Sequence, residues 1–363
     1  MTVIPARLAL QQRVFPEYRA PFFNLLAQSC LQGFSLFAGE PRPEEAIHIS
    51  TGLANGDFQV ARNLHISSGK TYALYQQGFI KWLERWQPGV LIVEANPRYL
   101  STPAAVQWMH HRGLPVIGWG LGAPPVGKAE SVLRNNFITS LDAMIAYSKT
   151  GAQQYADCGL SPQRIFVAAN AVTHRPYQAA PERPLSFKGG KPHLLFVGRL
   201  QERKKLDLLL QACAGLPSKL TPSLTIIGDG PDRARLEALA KTIFPSAHFT
   251  GAKHGAELAP YFNQADLFVL PGTGGLAVQQ AMAHALPVIV GQADGTQGEL
   301  VRPENGVVLP SANLETLTAA LISTLSDTSK LRAMGLSSFR IVSEEVNLEA
   351  MLDSFAKAIK SVL

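Results

Sequence analysis

Short apolar runs rich in valine, isoleucine and leucine recur along this chain, and stretches of helical periodicity lie between them. No other feature constrains the fold as strongly. In the first half the runs are RLALQQ, FSLFAG, VLIVEA, PVIGWG, AMIAYS and IFVAAN, with FQVARNLHI a weaker candidate. In the second half they are HLLFVGR, LTIIGDG, HFTG, LFVLP, PVIVG and VVLP. A run that is apolar throughout suits a strand buried on both faces, and such strands separated by helices form parallel sheets. Of the intervening segments, LDLLLQACAGL sets Leu206, Leu209, Leu210 and Cys213 on one helical face, and DRARLEALAKTIF does the same with Ala234, Leu236, Leu239 and Ile243. A chain of 363 residues is natural for two domains, each with its own core. The stretch HRPYQAAPERPLSFKGGKP is rich in proline, glycine and charge and reads as a linker. The expected organisation is α/β, with doubly wound domains over residues 1–178 and 179–345. A C-terminal helix within 346–363 is expected to pack back on the N-terminal domain, with Leu348, Leu352, Phe355 and Ile359 as its apolar stripe. Ligands of such sheets bind at the carboxyl ends of the strands.

Composition narrows the partners. Hydrophobic residues make up 46% and charged residues 17%, as in an ordered globular protein. A formal charge of +6 suits an anionic ligand or an acidic membrane surface. There is no dense Lys/Arg run and no nucleic-acid-binding signature, so no nucleic-acid partner is expected. Cys30, Cys158 and Cys213 are scattered, which argues for a reducing compartment, and no zinc-ligand spacing occurs. The first residues lack the apolar core of a signal peptide, and no apolar run approaches the ~20 residues needed to span a bilayer. A cytoplasmic location is expected, with peripheral contact at the inner face of the membrane left open.

Four segments carry candidate chemistry. After strand HLLFV come Gly198 and Arg199, then Lys204 and Lys205 at the mouth of a helix. They are either a solvated basic loop or cations holding a diphosphate, Arg as a planar fork and Lys as a point charge. After LTII come Gly228, Asp229 and Gly230, a turn that lets backbone approach a ligand or simply joins strand to helix. After LFVLP come Gly272, Thr273, Gly274 and Gly275, then a helix beginning near Leu276. Free N–H groups at such a helix start, together with its dipole, attract anions. After PVIVG come Asp294, Thr296 and Glu299, polar groups on the ligand side or on a surface loop. In the first half, Tyr18 and Arg19 follow the first strand, Glu94, Asn96 and Arg98 follow LIVEA, and Trp119 follows PVI. Tyr18 and Arg19 read equally as an amphipathic helix start, and Glu94, Asn96 and Arg98 as a turn around Pro97. The histidines form no ligand pattern; His284 reads as a packed residue.

The ordered set VGRL…K, IGDGP, F.G, ADLFVLP, GL…QAMA…LPVIV and GELV…NG, over about residues 191–310, resembles the nucleotide-binding half of GT-B glycosyltransferases. The resemblance is to the retaining group called family four, the glycosyl transferases group 1. It implies two Rossmann-like domains facing a central cleft. It also implies transfer of a sugar, with retention, from a nucleotide sugar (most often a UDP-sugar) to a glycan, a lipid-linked acceptor or a small molecule. Carried over by position, Arg199 and Lys204 would hold the diphosphate and do the catalytic work. Gly198, Gly228, Asp229, Thr273 and Leu276 would line the donor. The segment Thr250 to His254, with Lys253, would face the base, and Gly274 and Gly275 would lie under the phosphates and sugar. Asp294 and Glu299 are candidates to reach the donor sugar, Tyr18, Arg19, Glu94, Asn96 and Trp119 are acceptor-side candidates, and Trp119 could stack on a sugar or an acceptor ring.

Two positions depart from the family's pattern. Gln280 stands where a ribose-binding glutamate is usual, and Gly272 where an acid near the donor sugar is usual. A glutamine amide still accepts from a ribose hydroxyl, at a cost of about 1 kcal/mol. At Gly272 the side chain is absent, so either the backbone of the turn replaces it or Asp294 or Glu299 does. With no obvious carboxylate nucleophile, a front-side reaction is expected, in which fixed cations stabilise the leaving diphosphate. No cofactor and no metal are then needed beyond the nucleotide-sugar co-substrate. The same departures leave open a non-catalytic GT-B protein that binds a sugar nucleotide or glycan.

Overall fold

The computed structural model describes residues 2–45, 47–67, 69–274, 276–292 and 296–363, with Lys70, Lys128 and Ala129 described by backbone alone. The chain forms two compact units. One comprises Met1–Val172 with Leu348–Leu363, the other Thr173–Asn347.

The first unit is built on β1 (Leu8–Val14), β2 (Phe34–Gly39), β3 (Asp57–Ile66), β4 (Ala73–Gln77), β5 (Val90–Glu94), β6 (Val116–Gly120), β7 (Ala143–Ala146) and β8 (Ile165–Val167). The spatial order is β4-β3-β2-β1-β5-β6-β7-β8. Every pairing is parallel except β3 with β4, an antiparallel ribbon at the edge. That ribbon departs from the all-parallel expectation, and β4 was not expected at all. Its residues alternate in burial, as a strand with one solvated face requires. Val60, Leu64 and Ile66 of β3 are exposed, which explains why FQVARNLHI read as a weak strand. The helix Leu348–Lys360 belongs to this unit, and its Phe355 ring sits 4.8 Å from Phe22 and 5.0 Å from Trp119.

The second unit carries β9 (His193–Val197), β10 (Ser223–Ile227), β11 (Ala247–Gly251), β12 (Leu267–Leu270), β13 (Val288–Val290) and β14 (Gly306–Val308), in the order β11-β10-β9-β12-β13-β14. All its pairings are parallel. In the helix Arg233–Ile243, Leu236 and Ala240 are buried while Ala234 is exposed, so the buried face is rotated from the expected one. Both sheets are of the Rossmann-like, doubly wound kind, and each reverses strand order once. The reversal lies between β1 and β5 in the first unit and between β9 and β12 in the second. At such a switch point adjacent loops leave the sheet in opposite directions and open a crevice at the carboxyl ends of the strands.

Cys30, Cys158 and Cys213 are free and buried. Burial pushes the Cys30 and Cys213 thiols up to about 12. Among the described residues no helix is long and apolar enough to cross a membrane.

Candidate functional site

The switch point of the second unit brings two loops together, residues 198–205 after β9 and 271–274 after β12. Gly198 N–H donates to the Ile227 carbonyl at 2.9 Å and Leu200 N–H to the Asp229 carbonyl at 2.9 Å, which ties the first loop to the end of β10. Gly228 has φ +145°, and a Cβ there would run into the Gly198 carbonyl; one at Gly230 would run into the backbone of Leu200. The glycines of IGDG are therefore required by backbone packing against the 198–200 loop. The Asp229 carboxylate is also local. It accepts from Gly230 N–H at 2.7 Å and from Arg233 at 2.8 Å, and these bonds hold it below the usual carboxylate range. Gly228 and Asp229 thus close the turn after β10.

Glu202–Lys204 forms one tight helical turn, and Lys205 after it sits in the left-handed region at φ 51°. This turn presses Lys204, only 9% exposed, against the glycine-rich loop. Its ammonium donates to the Thr273 carbonyl. Arg203 donates through its guanidinium to Thr273 Oγ1 at 3.0 Å, and its own carbonyl accepts from Thr273 N–H at 3.0 Å. A Cβ at Gly272 would lie inside the backbone of Arg203 and Lys204, and one at Gly274, φ +144°, would strike the Lys204 ammonium. The 203–204 backbone thus fills the volume that a turn carboxylate would need. Thr273 N–H and Gly274 N–H are both bonded within the protein. The first is bonded to Arg203, and the second donates to Gln297 Oε1 at 3.1 Å.

Gln297 escaped the sequence reading. It is fully buried, and besides accepting from Gly274 its amide donates to the Gly272 carbonyl at 3.3 Å. Its neighbours Thr296 and Glu299 were the polar groups singled out in GTQGELV. The one available signal was its place a helical turn before buried Leu300, a polar residue on an inward face.

The other candidates are placed as follows. Arg199 is half-buried directly beyond β9. Leu276 begins the helix Leu276–Ala283, on which Gln280 is half-buried. Its neighbour Gln279 is fully buried and donates to the Val346 carbonyl at 2.7 Å. Glu299 lies in the helix Thr296–Leu300. Lys253 is turned toward Glu257, 3.3 Å away. Gly275 and Asp294 lie outside the described residues.

In the first unit, a cavity of about 370 Å³ opens at the ends of β5 and β6, with Glu94, Asn96, Tyr99, Gly120 and Tyr147 in its wall. Glu94 accepts from Arg13 N–H at 2.9 Å; burial raises its carboxyl above the ordinary value and outweighs that bond. Burial also pushes Tyr147 up to about 12. Asn96 accepts from Arg98 N–H at 3.1 Å, closing its own turn. Arg19 is buried rather than presented to a ligand; it donates to Asn170 at 2.7 Å and to the Tyr147 hydroxyl at 3.3 Å. Tyr18 beside it is exposed. Trp119 reaches the cavity wall but is 1% exposed, with Phe22, Phe23, Tyr147 and Phe355 around its ring and the Arg19 guanidinium 4.8 Å from its centroid. The Trp119 ring is thus packed as core at the cavity wall.

Residues 191–327 match the family described as Glycosyl transferases group 1. The matched segment lies within the second unit. Over 129 residues the chain is 40% identical to a "GDP-mannose-dependent alpha-mannosyltransferase" of Mycobacterium tuberculosis (strain CDC 1551 / Oshkosh), covering 35% of this chain and 32% of the relative. A protein of the same name from Mycolicibacterium smegmatis (strain ATCC 700084 / mc(2)155) is 38% identical over 140 residues, covering 38% of this chain and 35% of the relative. The chain thus spans about a third of the length of these curated relatives. Anabaena Alr3699/HepE, solved in complex with UDP, superposes with a TM-score of 0.74 at 15% identity, over 99% of this chain and all of that one. The fold is accordingly GT-B, two Rossmann-like domains, and the family match falls in the second. Among the described residues no group of three or more His, Cys, Asp or Glu side chains is arranged to hold a metal ion.

Proposed function

We propose that the chain is a glycosyltransferase that moves a sugar from a nucleotide sugar to an acceptor hydroxyl with retention at the anomeric carbon. The observation that carries this reading is the docking of Lys204 against the glycine-rich turn of a group 1 domain, with Arg199 beyond the adjacent strand. As the bond from the sugar to the diphosphate breaks, negative charge grows on the leaving oxygen. A nearly buried ammonium already held by a carbonyl stabilises that charge without reorganising, and the Arg199 guanidinium would add to it. The acceptor hydroxyl attacks from the face the diphosphate leaves and passes its proton to the departing phosphate oxygen. The cavity lined by Glu94 and Asn96 is the acceptor-side candidate. A glycan, a lipid-linked acceptor or a small molecule all remain within its chemistry.

The donor is a nucleoside-diphosphate sugar. A UDP-sugar is the family's common choice. The relatives that are 38–40% identical across this domain are named for GDP-mannose, which brings that donor forward beside it. The deciding experiment incubates the protein with UDP-glucose, UDP-galactose, UDP-N-acetylglucosamine and GDP-mannose, each with and without candidate acceptors, and follows release of UDP or GDP. Release with one donor, cut by about 10²–10³ in Arg199→Ala and in Lys204→Ala, is the expected result. Tight donor binding without any release would overturn it in favour of a non-catalytic binding protein. Near-normal turnover in both variants would remove the electrostatic mechanism.

A further inference from the structure

Three consecutive residues of the glycine-rich turn are clamped through backbone atoms by two side chains. The Gly272 carbonyl accepts from Gln297, the Thr273 carbonyl from Lys204, and Gly274 N–H donates to Gln297. Gln297 is fully buried, and its carboxamide uses both of its ends on the two residues that flank Thr273. Neither glycine has a side chain to define the turn, and Gly274 occupies a backbone region that leaves it conformational freedom. The orientation of the Thr273 carbonyl, and so the position of the Lys204 ammonium, depends on what holds residues 272 and 274.

We infer that Gln297 is a positioning residue: its carboxamide, bridging Gly272 and Gly274, aims the Thr273 carbonyl so that the Lys204 ammonium is held at the switch point of the second unit. It takes over the shaping of a turn whose position 272 has no room for a side chain. The relevance of that position to donor binding rests on the proposed function; the positioning itself does not.

The geometry favours Gln over its near relatives. Glutamate keeps the bond from Gly274 N–H but, when ionised, sets a carboxylate oxygen against the Gly272 carbonyl, with no proton between them. Protonated, it restores a donor. Leucine fills similar space and makes neither bond.

The first measurement needs no ligand. The full-length protein is trace-acylated with acetic anhydride, and modification of Lys204 is read by mass spectrometry as a ratio to Lys205 in the same sample. In the wild type the ratio is low, because the Lys204 amine is nearly buried and bonded. In Gln297→Leu it rises roughly tenfold, as expected for loss of one to two hydrogen bonds that held the turn. In Gln297→Glu it rises at neutral pH and falls back toward the wild-type value as the solution is acidified, a pH profile that a purely space-filling role would not produce. An unchanged ratio in Gln297→Leu overturns the inference. If that variant does not fold, Gln297→Glu decides alone: a ratio equal to wild type at neutral pH overturns it. The second measurement is affinity for UDP and for GDP, expected to weaken in step with the acylation ratio. Failure of the wild type to bind either nucleotide would count against the proposed function. A changed ratio in that case would still leave the positioning role standing.

Discussion

The two sheets furnish their switch points with different shares of backbone and side chain, the second adding the Lys204 and Gln297 clamp to close backbone packing. In the second unit backbone packs on backbone: Gly228 and Gly230 lie against residues 198–200, Gly272 against 203–204, and a Cβ at Gly291 would strike the Pro271 carbonyl. In the first unit side chains do the work. Gln11 accepts from Glu94 N–H at 3.0 Å, Gln76 donates to the Gln12 carbonyl at 3.0 Å and to Asn63 at 2.9 Å, and Asn63 donates to the Arg13 carbonyl at 2.8 Å. Arg13 reaches Glu45 at 2.7 Å. Gln11, Gln12 and Gln76 are buried, and a buried polar network is stabilising only when its members are satisfied. The contrast separates two kinds of rigidity. Close backbone approach tolerates no added atom but asks nothing of chemistry. A side-chain network tolerates isosteres but depends on each donor and acceptor.

Substitutions can break that comparison or sharpen it. The largest effect is expected where the first unit is dense: Trp119→Ala should destabilise by about 3–5 kcal/mol in urea unfolding, as for other buried aromatic truncations. A loss below about 1 kcal/mol would mean that the ring is not core, and would return it to the list of ligand contacts. In the second unit, Gly272→Glu should cost about 1–3 kcal/mol through overpacking against residues 203–204 and should abolish any transfer. Higher turnover in that variant would instead show that the turn had merely lost an acid.

Glu94→Gln tests the network through pH. Burial, partly offset by the Arg13 N–H and Tyr99 bonds, puts the folded Glu94 carboxyl above its ordinary value of 4.5. The native state then holds the proton more tightly than the unfolded chain. The stability this supplies is complete below the ordinary value and is lost as pH rises through the folded one. The glutamine variant does not titrate, so its stability relative to wild type should climb over that window; a flat difference would contradict the assignment. The smallest effect is a gain. Lys205→Gly should relieve a left-handed residue worth about 1–2 kcal/mol against a glycine entropy cost of roughly 0.5–1 kcal/mol, for a net stabilisation of about 0.5–1 kcal/mol by thermal unfolding.

The same contrast decides what could be read from the sequence. Strands buried on both faces, such as HLLFV and VLIVE, announce themselves, whereas Ala73–Gln77, of the same length, alternates and ends in two glutamines, too polar to register. The glycines at 228, 230, 272 and 274 were visible as turns, but their reason was not, because it lies in a neighbouring loop that only the folded chain brings near. Trp119 offered a plausible stacking surface in PVIGWG; the rings that enclose it come from Phe22 and Phe23 on one helix and Phe355 on another, near the far end of the chain. The residues joining Glu94 to Gln11, Gln76 and Asn63 have no shared period or spacing. Gln297 was missed for the same reason, since its partners are main-chain atoms of another segment.

The burial of all three native thiols has a practical use. Fluorophores or spin labels aimed at an added surface cysteine, at Leu133 in one domain or Leu336 in the other, should react there in preference to Cys30, Cys158 and Cys213. Distances between the two domains in solution, with and without a donor, could then be recorded on a protein whose own cysteines need not be replaced.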